Sequence, residues 1–232
     1  MFNSDMVQDD LKKLKVDLLI AIIFFPVYSI LYTLAKNYKS ITPNVITCFG
    51  LTAFLIGLVV SCLTGSNVYT GVGLYVFAGA DIADGYVARK LNMASPVGAI
   101  LDLLSDRLVF VILFFYVFLT LVNTDSSLNS MVYFVLYSVL FLYLDSLLLT
   151  KILAGKVLKE HVRKSKANDF NKRVSFMEFL FRADFRFSSY VPMIGWLVTG
   201  NEVFLLFAVI FVLFSYMVFF VNSSKEIFKI KK

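Results

Sequence analysis

Four aspartates stand in a part of the sequence that is otherwise strongly apolar. Asp81 and Asp84 are three residues apart and Asp102 and Asp106 are four apart, so each pair shares one face of a helix. The short link 89–96 makes the two helices antiparallel neighbours and brings the four carboxylates to about the same depth. Such hard oxygen ligands suit Mg²⁺, Mn²⁺ or Ca²⁺. Two divalent ions would neutralise the four charges, which predicts a two-metal site of the type used for displacement at phosphorus.

The residues beside the acidic pairs suit a ligand that carries phosphate. Gly85 and Gly98 have no side chain and so allow backbone or ligand to approach closely. Ala88 is small, and Arg89 at the membrane edge can bind phosphate oxygens with its planar guanidinium. We therefore expect one cleft that combines metal ions, open space and a phosphate clamp. Such a cleft suits a substrate that contains pyrophosphate.

The composition indicates the kind of element that holds these residues. Of 232 residues, 59% are hydrophobic and only 16% are charged, and 25 are Phe; the mean hydropathy is +0.80. A soluble domain is nearer to about 45–50% apolar and about 25% charged, so a soluble globule and a disordered chain are both excluded. We predict an all-α, polytopic membrane protein. The net charge of +6 is attributed to cytoplasmic loops, and no nucleic-acid partner is expected.

Six segments are long and apolar enough to span a bilayer, which takes about 20 residues. They are 45–64, 68–88, 97–122, 131–155, 175–198 and 202–222. Basic residues fall in alternate links, including 156–173, as six spans with both ends in the cytoplasm require. On this pattern 11–35, which contains Pro26, is interpreted as a helix that lies at the cytoplasmic interface or dips into the bilayer. A seventh span over 18–35 stays open.

The aspartates and their neighbours belong to one longer pattern. Its members are Asp81, Asp84, Gly85, Ala88 and Arg89, then, after eight further residues, Gly98, Asp102 and Asp106. This closely resembles the complete signature of the CDP-alcohol phosphotransferases, with all eight specified residues at the family spacing. The segment 41–47 also resembles the family's entry to its first span.

The resemblance implies an integral membrane transferase, in which an acceptor hydroxyl attacks a CDP-linked alcohol to give a phosphodiester and CMP. We expect a role in phospholipid biosynthesis. Asp81, Asp84, Asp102 and Asp106 would bind two Mg²⁺ or Mn²⁺ ions, and Asp106 would also be the catalytic base. The residues expected at the CDP site are Asp81, Asp84, Gly85, Ala88, Arg89, Gly98, Asn44 and Thr47. Helix capping explains Asn44 and Thr47 equally well.

The resemblance and the charge pattern together predict the organisation of the chain. An N-terminal cytoplasmic, juxtamembrane helix lies within residues 1–40. A six-helix transmembrane bundle follows over residues 41–232, surrounded by membrane lipids, with its active site facing the cytoplasm. We also expect a homodimer.

The fifth predicted span carries charged residues at four-residue spacing. Glu178, Arg182 and Arg186 share one helix face, with Asp184 between them. One interpretation is a salt-bridge ladder at the interface. The other is a binding site for the acceptor, which would then carry phosphate, since Arg matches phosphate oxygens in pairs.

Two alternative functions stay open from the sequence. A CDP-polyol transferase for a surface polymer or a soluble phosphodiester would carry the same signature, which identifies the CDP part and neither alcohol. A divalent-cation transporter could use the same carboxylates as a permeation site. Arg89 argues against the transporter, because a site for passing cations would hardly keep a cation beside it.

Overall fold

The computed structural model of the chain describes residues 18–123, 127–143 and 185–213. Over these residues it has seven helices and no strand, which confirms the all-α class. The helices are α1 (Leu18–Asn37), α2 (Pro43–Thr64), α3 (Val68–Lys90), α4 (Pro96–Asn123), α5 (Leu128–Tyr143), α6 (Phe185–Thr199) and α7 (Val203–Leu213). Helices α2 to α7 overlap the six predicted spans in order. The remaining parts of the last three predicted spans lie outside the described residues.

Two of the described helices, α2 and α4, are long and apolar enough to cross a membrane. Both carry large apolar side chains on their outer faces, including Leu63 at 80% exposure and Phe115 at 58%. Such apolar surfaces are unfavourable in contact with water and favourable in contact with lipid. Helix α3 is not among the strongly apolar helices, although it lies on a predicted span. Six spans and a homodimer therefore stay predictions.

Local sequence explains where α2 begins and ends, where α3 ends and where α4 begins. Pro43 occupies the first position of α2, where its fixed φ suits a helix and its missing N–H is not needed. Gly65 ends α2 in the left-handed conformation with φ of 70°. Leu91 caps the end of α3, where its N–H donates to the backbone oxygen of Val87, and Asn92 follows in the left-handed conformation with φ of 55°. Ser95 then caps α4, because its Oγ accepts the N–H of Gly98 at 3.0 Å. The α3–α4 link is thus capped at both ends.

Helix α3 is the centre of the described bundle and packs against α1, α2 and α6. Glycines allow these helices to approach closely. A Cβ at Gly57 of α2 would overlap the backbone oxygen of Tyr69 and would lie 3.2 Å from Cα of Gly73, both in α3. A Cβ at Gly71 of α3 would lie 3.2 Å from Cβ of Leu197 in α6. The helix that carries Asp81 and Asp84 is therefore enclosed by other helices.

The N-terminal helix α1 packs along α3 in the same direction. The Tyr75 hydroxyl donates to the backbone oxygen of Ile23 at 2.8 Å. Further along both helices, the rings of Tyr32 and Tyr86 meet edge to face with centroids 4.7 Å apart. Later residues of α1 contact later residues of α3, so the two helices run parallel, and α1 does not lie across the end of α3. The predicted boundary near residue 40 stays a prediction.

Hydrogen bonds connect the chain turns at the end of the bundle where α4 finishes. The Tyr116 hydroxyl donates to Oδ1 of Asn67, in the turn between α2 and α3, at 2.7 Å. Ser127 donates to Oε1 of Glu202, which joins the start of α5 to the turn before α7. Ser130 contributes a second hydroxyl to the same carboxylate.

These two serine hydroxyls hold the pKa of Glu202 below its usual value of 4.5, since they hydrogen-bond the charged form. A carboxyl whose folded pKa is lowered stabilises the fold above its unfolded pKa, and that contribution disappears as pH falls through the folded pKa. We expect Glu202→Gln to melt at a lower temperature than the wild type at pH 7. The difference should shrink as the pH falls below 4.5, as followed by thermal melts in detergent.

Ser127→Ala provides the matched control, since it removes a partner and leaves the carboxyl in place. Its melting temperature at pH 7 should also lie below that of the wild type, by less than for Glu202→Gln, and this difference should also shrink in acid. If the melting temperatures of the wild type and Glu202→Gln differ by the same amount at pH 7 and in acid, the lowered pKa of Glu202 is contradicted.

Candidate active site

Three of the four signature aspartates form a compact cluster between α3 and α4. One carboxylate oxygen from each of Asp81, Asp102 and Asp106 lies within 4.8 Å of the other two. Asp106 is buried, with 4% exposure, whereas Asp81 and Asp102 are half-buried. The aspartate cluster (Asp81, Asp102 and Asp106) therefore concentrates negative charge away from bulk water.

The fourth aspartate, Asp84, belongs to a neighbouring environment. It is buried, with 5% exposure, and its Oδ2 accepts a hydrogen bond from the Thr47 hydroxyl of α2. Its charged neighbours are Asp102 and Arg89. The sequence predicts that four carboxylates face one another, and three of them do. Asp84 lies three residues after Asp81 on α3, so its side chain points in a different direction, towards α2.

An open cleft of about 180 Å³ adjoins the aspartate cluster. This is several times the roughly 30 Å³ that one water occupies in the liquid, so the cleft has room for a group such as phosphate. Its walls come from the start of α2, the end of α3, the α3–α4 link and the start of α4. The lining residues are Pro43, Asn44, Thr47, Asp84, Gly85, Ala88, Arg89, Met93, Ala94, Ser95, Gly98, Ala99 and Asp102. Asp102 belongs to both the cleft and the aspartate cluster and joins the two.

Two glycines of the signature allow polar side chains to reach the cleft. A Cβ at Gly85 would lie 3.3 Å from both terminal nitrogens of Arg89, so the guanidinium lies over the bare backbone one turn earlier. A Cβ at Gly98 would lie 2.7 Å from Oδ1 of Asn44, so the absence of a side chain admits the amide from α2. Larger residues at either position would displace these two polar groups.

Residues 40–214 match the family model of the CDP-alcohol phosphatidyltransferases, which covers most of the chain. The chain belongs to this family. Neither a curated protein nor a solved structure matches it. Membership makes the chain one of a family of transferases that move a phosphoryl-alcohol group from a CDP-alcohol. The family is associated with membranes, and together with the apolar helices α2 and α4 this indicates a membrane protein.

CDP-alcohol phosphatidyltransferases generally depend on divalent metal, and the aspartate cluster suits such an ion. Carboxylate oxygens are the ligands that Mg²⁺ and Mn²⁺ prefer. Oxygens bound to one ion at about 2.1 Å lie no more than about 4.2 Å apart, which is close to the observed limit of 4.8 Å. The three residues therefore fit a divalent ion after small side-chain rotations.

Seven of the eight residues predicted for the CDP site line the cleft, and the eighth, Asp81, lies in the aspartate cluster. Neither Asn44 nor Thr47 is the cap of α2, which is Thr42. The predicted acceptor residues Glu178 and Arg182 lie outside the described residues. Arg186 lies in the first turn of α6.

Sequence reasoning missed part of the cleft wall. Met93, Ala94 and Ser95 come from the α3–α4 link, and Pro43 and Ala99 come from helix starts. One available signal was the Ser-Pro pair at residues 95–96, which marks a capped helix start. It would have placed the first turn of α4 beside the aspartates.

Proposed function

We propose that this chain transfers a phosphoryl-alcohol group from a CDP-alcohol to an acceptor hydroxyl and releases CMP. The aspartate cluster would bind divalent ions, Mg²⁺ or Mn²⁺, with Asp84 as a further ligand and two ions in the occupied site. The cleft would bind the CDP part of the donor. The pathway that we favour is phospholipid biosynthesis.

One observation carries the proposal. The family signature folds into a carboxylate cluster that opens directly onto a cleft lined by Arg89, and Asp102 belongs to both. A donor diphosphate in the cleft would lie between a guanidinium and the metal ligands. Such an arrangement suits transfer at phosphorus, in which positioning and charge stabilisation supply most of the catalysis.

The residues of the chain account for the steps of the reaction. Arg89 binds a donor phosphate and orients it. Asp106 accepts the proton of the acceptor hydroxyl, whose oxygen forms a new bond to the phosphorus that carries the alcohol. The bond from that phosphorus to the bridging oxygen breaks, and CMP leaves with this oxygen. Divalent ions, when bound, spread the negative charge on the phosphate oxygens.

The position of the cleft supports a cytoplasmic orientation. The cleft lies where α3 ends and α2 and α4 begin, and the basic residues Lys36, Lys39, Arg89 and Lys90 are at this same end. Lys and Arg collect on the cytoplasmic side of membrane proteins. We propose that the cleft opens to the cytoplasm, within a homodimer of six-span subunits surrounded by lipid.

The position of Arg89 favours an enzyme over a cation transporter. Arg89 lines the same cleft as Asp84 and Asp102, so a fixed positive charge stands where a passing cation would have to move. A phosphate anion, in contrast, is stabilised by the same guanidinium. A transferase would use both the negative carboxylates, which bind metal, and the positive guanidinium, which binds phosphate.

A release assay tests the proposal. Purified protein with Mg²⁺ or Mn²⁺ is incubated with CDP-diacylglycerol, CDP-choline, CDP-ethanolamine or a CDP-polyol, each with acceptors that do or do not carry phosphate. We expect CMP release with a lipid-linked donor. Release with CDP-polyol alone would establish the alternative pathway. Folded protein that releases no CMP from any donor, yet moves Mn²⁺ across vesicle membranes, would establish the transporter.

A further inference from the structure

The buried Asp84 of α3 is hydrogen-bonded by a residue of the neighbouring helix α2. Thr47 of α2 is 5% exposed, and its hydroxyl donates to Oδ2 of Asp84, which is also 5% exposed. The three carboxylates of the aspartate cluster come from α3 and α4. A contact between α2 and α3 therefore sets the direction of this one carboxylate.

The Thr47 hydroxyl has two acceptors within reach and a single proton. Its Oγ1 lies 3.1 Å from the backbone oxygen of Pro43, one turn earlier, as well as beside Asp84. A hydroxyl can donate to only one of them at a time. Hydrogen bonds to an ionised carboxylate are roughly twice as strong as those between neutral groups, so the Thr47 hydroxyl donates preferentially to Asp84 whenever that carboxylate is charged, as it is in a metal ligand.

The backbone around this contact is tightly packed. A Cβ at Gly50, one turn after Thr47, would lie 2.7 Å from Cβ of Ala80, which precedes the aspartates on α3. The two helices therefore meet almost backbone to backbone beside the hydrogen bond, which gives Thr47 little freedom to move relative to Asp84. Packing and hydrogen bond together hold the carboxylate in one orientation.

We propose that Thr47 is a positioning residue that orients Asp84 for a divalent ion, and that it acts on the donor only through this carboxylate. The inference rests on the proposed function, because it takes Asp84 as a metal ligand. Hydrogen-bond partners of metal ligands typically contribute 10–100-fold to metal affinity. A direct contact with the donor would leave metal affinity untouched.

Binding of Mn²⁺ to the full-length protein without substrates tests the role of Thr47, with free Mn²⁺ followed by electron paramagnetic resonance. Thr47→Val keeps the β-branched shape and removes the hydroxyl, and we expect its Kd for Mn²⁺ to rise about 10-fold or more. Thr47→Ser keeps the hydroxyl and should bind nearly as the wild type does. Thr52→Val is the matched control on α2, since the Thr52 hydroxyl is exposed and donates to the Cys48 oxygen of its own helix; it should leave the Kd unchanged.

An unchanged Kd in Thr47→Val would overturn the inference, and so would wild-type protein that binds no Mn²⁺. A raised donor KM with unchanged Mn²⁺ affinity would assign Thr47 to the donor and equally overturn it. If Thr47→Val does not fold, Thr47→Ala and Thr47→Ser form the pair, because they differ by one hydroxyl. Wild-type protein that binds Mn²⁺ and releases no CMP would defeat the proposed function and leave the test of Thr47 intact.

Discussion

Removal of divalent metal should abolish CMP release completely. The aspartate cluster holds three carboxylates within 4.8 Å, partly shielded from water. Without ions these charges repel one another, and the phosphate oxygens lose the charge stabilisation on which transfer depends. The measurement is CMP release after metal-free purification, in excess chelator and after titration with Mg²⁺ or Mn²⁺.

Recovery of activity upon adding metal is the control for irreversible damage by the chelator. A parallel thermal melt shows whether the metal-free protein remains folded. Unchanged turnover in excess chelator would show that the carboxylates act without metal, and the metal-binding role of the cluster would have to be abandoned.

Asp106→Asn should lose about 10²–10⁴-fold in turnover and still bind the CDP-alcohol, because a positioned base contributes about this much to a rate. The amide keeps the size of the buried side chain and cannot accept the acceptor proton. Asp106 also belongs to the aspartate cluster, so turnover is measured at saturating metal and Mn²⁺ binding is measured beside it. Donor binding is followed by competition with a non-reactive CDP analogue.

Arg89→Ala gives the contrasting pattern within the same cleft. Its guanidinium lies over Gly85 and, being a cation, is not a metal ligand, so its loss should raise the KM for the donor more than it lowers turnover. Glu202→Gln is the matched carboxyl-to-amide control at the far end of the bundle and should keep its activity per folded molecule. Near-normal turnover of Asp106→Asn at saturating substrates would rule out its role as base.

Much of the helical framework could be predicted from the sequence. The segments 45–64 and 97–122 correspond to α2 and α4 within two residues. Pro43 and Gly65 mark the two ends of α2, and Ser95 with Pro96 marks the start of α4, because each has a specific backbone requirement. The antiparallel arrangement of α3 and α4 also follows from their short link. These features depend on neighbours in the chain, which a single sequence displays directly.

The division of the aspartates could not be predicted in the same way. A three-residue step places Asp81 and Asp84 about 60° apart on α3. That angle allows one shared cluster or two adjacent environments. The choice depends on where Thr47 of α2 approaches, which is set by close packing between helices at Gly50 and Ala80. Sequence spacing along one helix contains no information about that approach.

The enclosure of α3 affects how the protein is made. An aspartate costs about 2.5–3.5 kcal/mol at the centre of a bilayer on insertion scales, so the two aspartates of α3 disfavour its insertion, and α3 is not among the helices that are strongly apolar. Helix α2 is strongly apolar, and only the residues 65–67 separate it from α3. Because α2 and α3 pack closely at Gly57 and Gly73, we expect these two helices to leave the translocon together as a helical hairpin. The acidic helix then enters the bilayer already shielded by its partner.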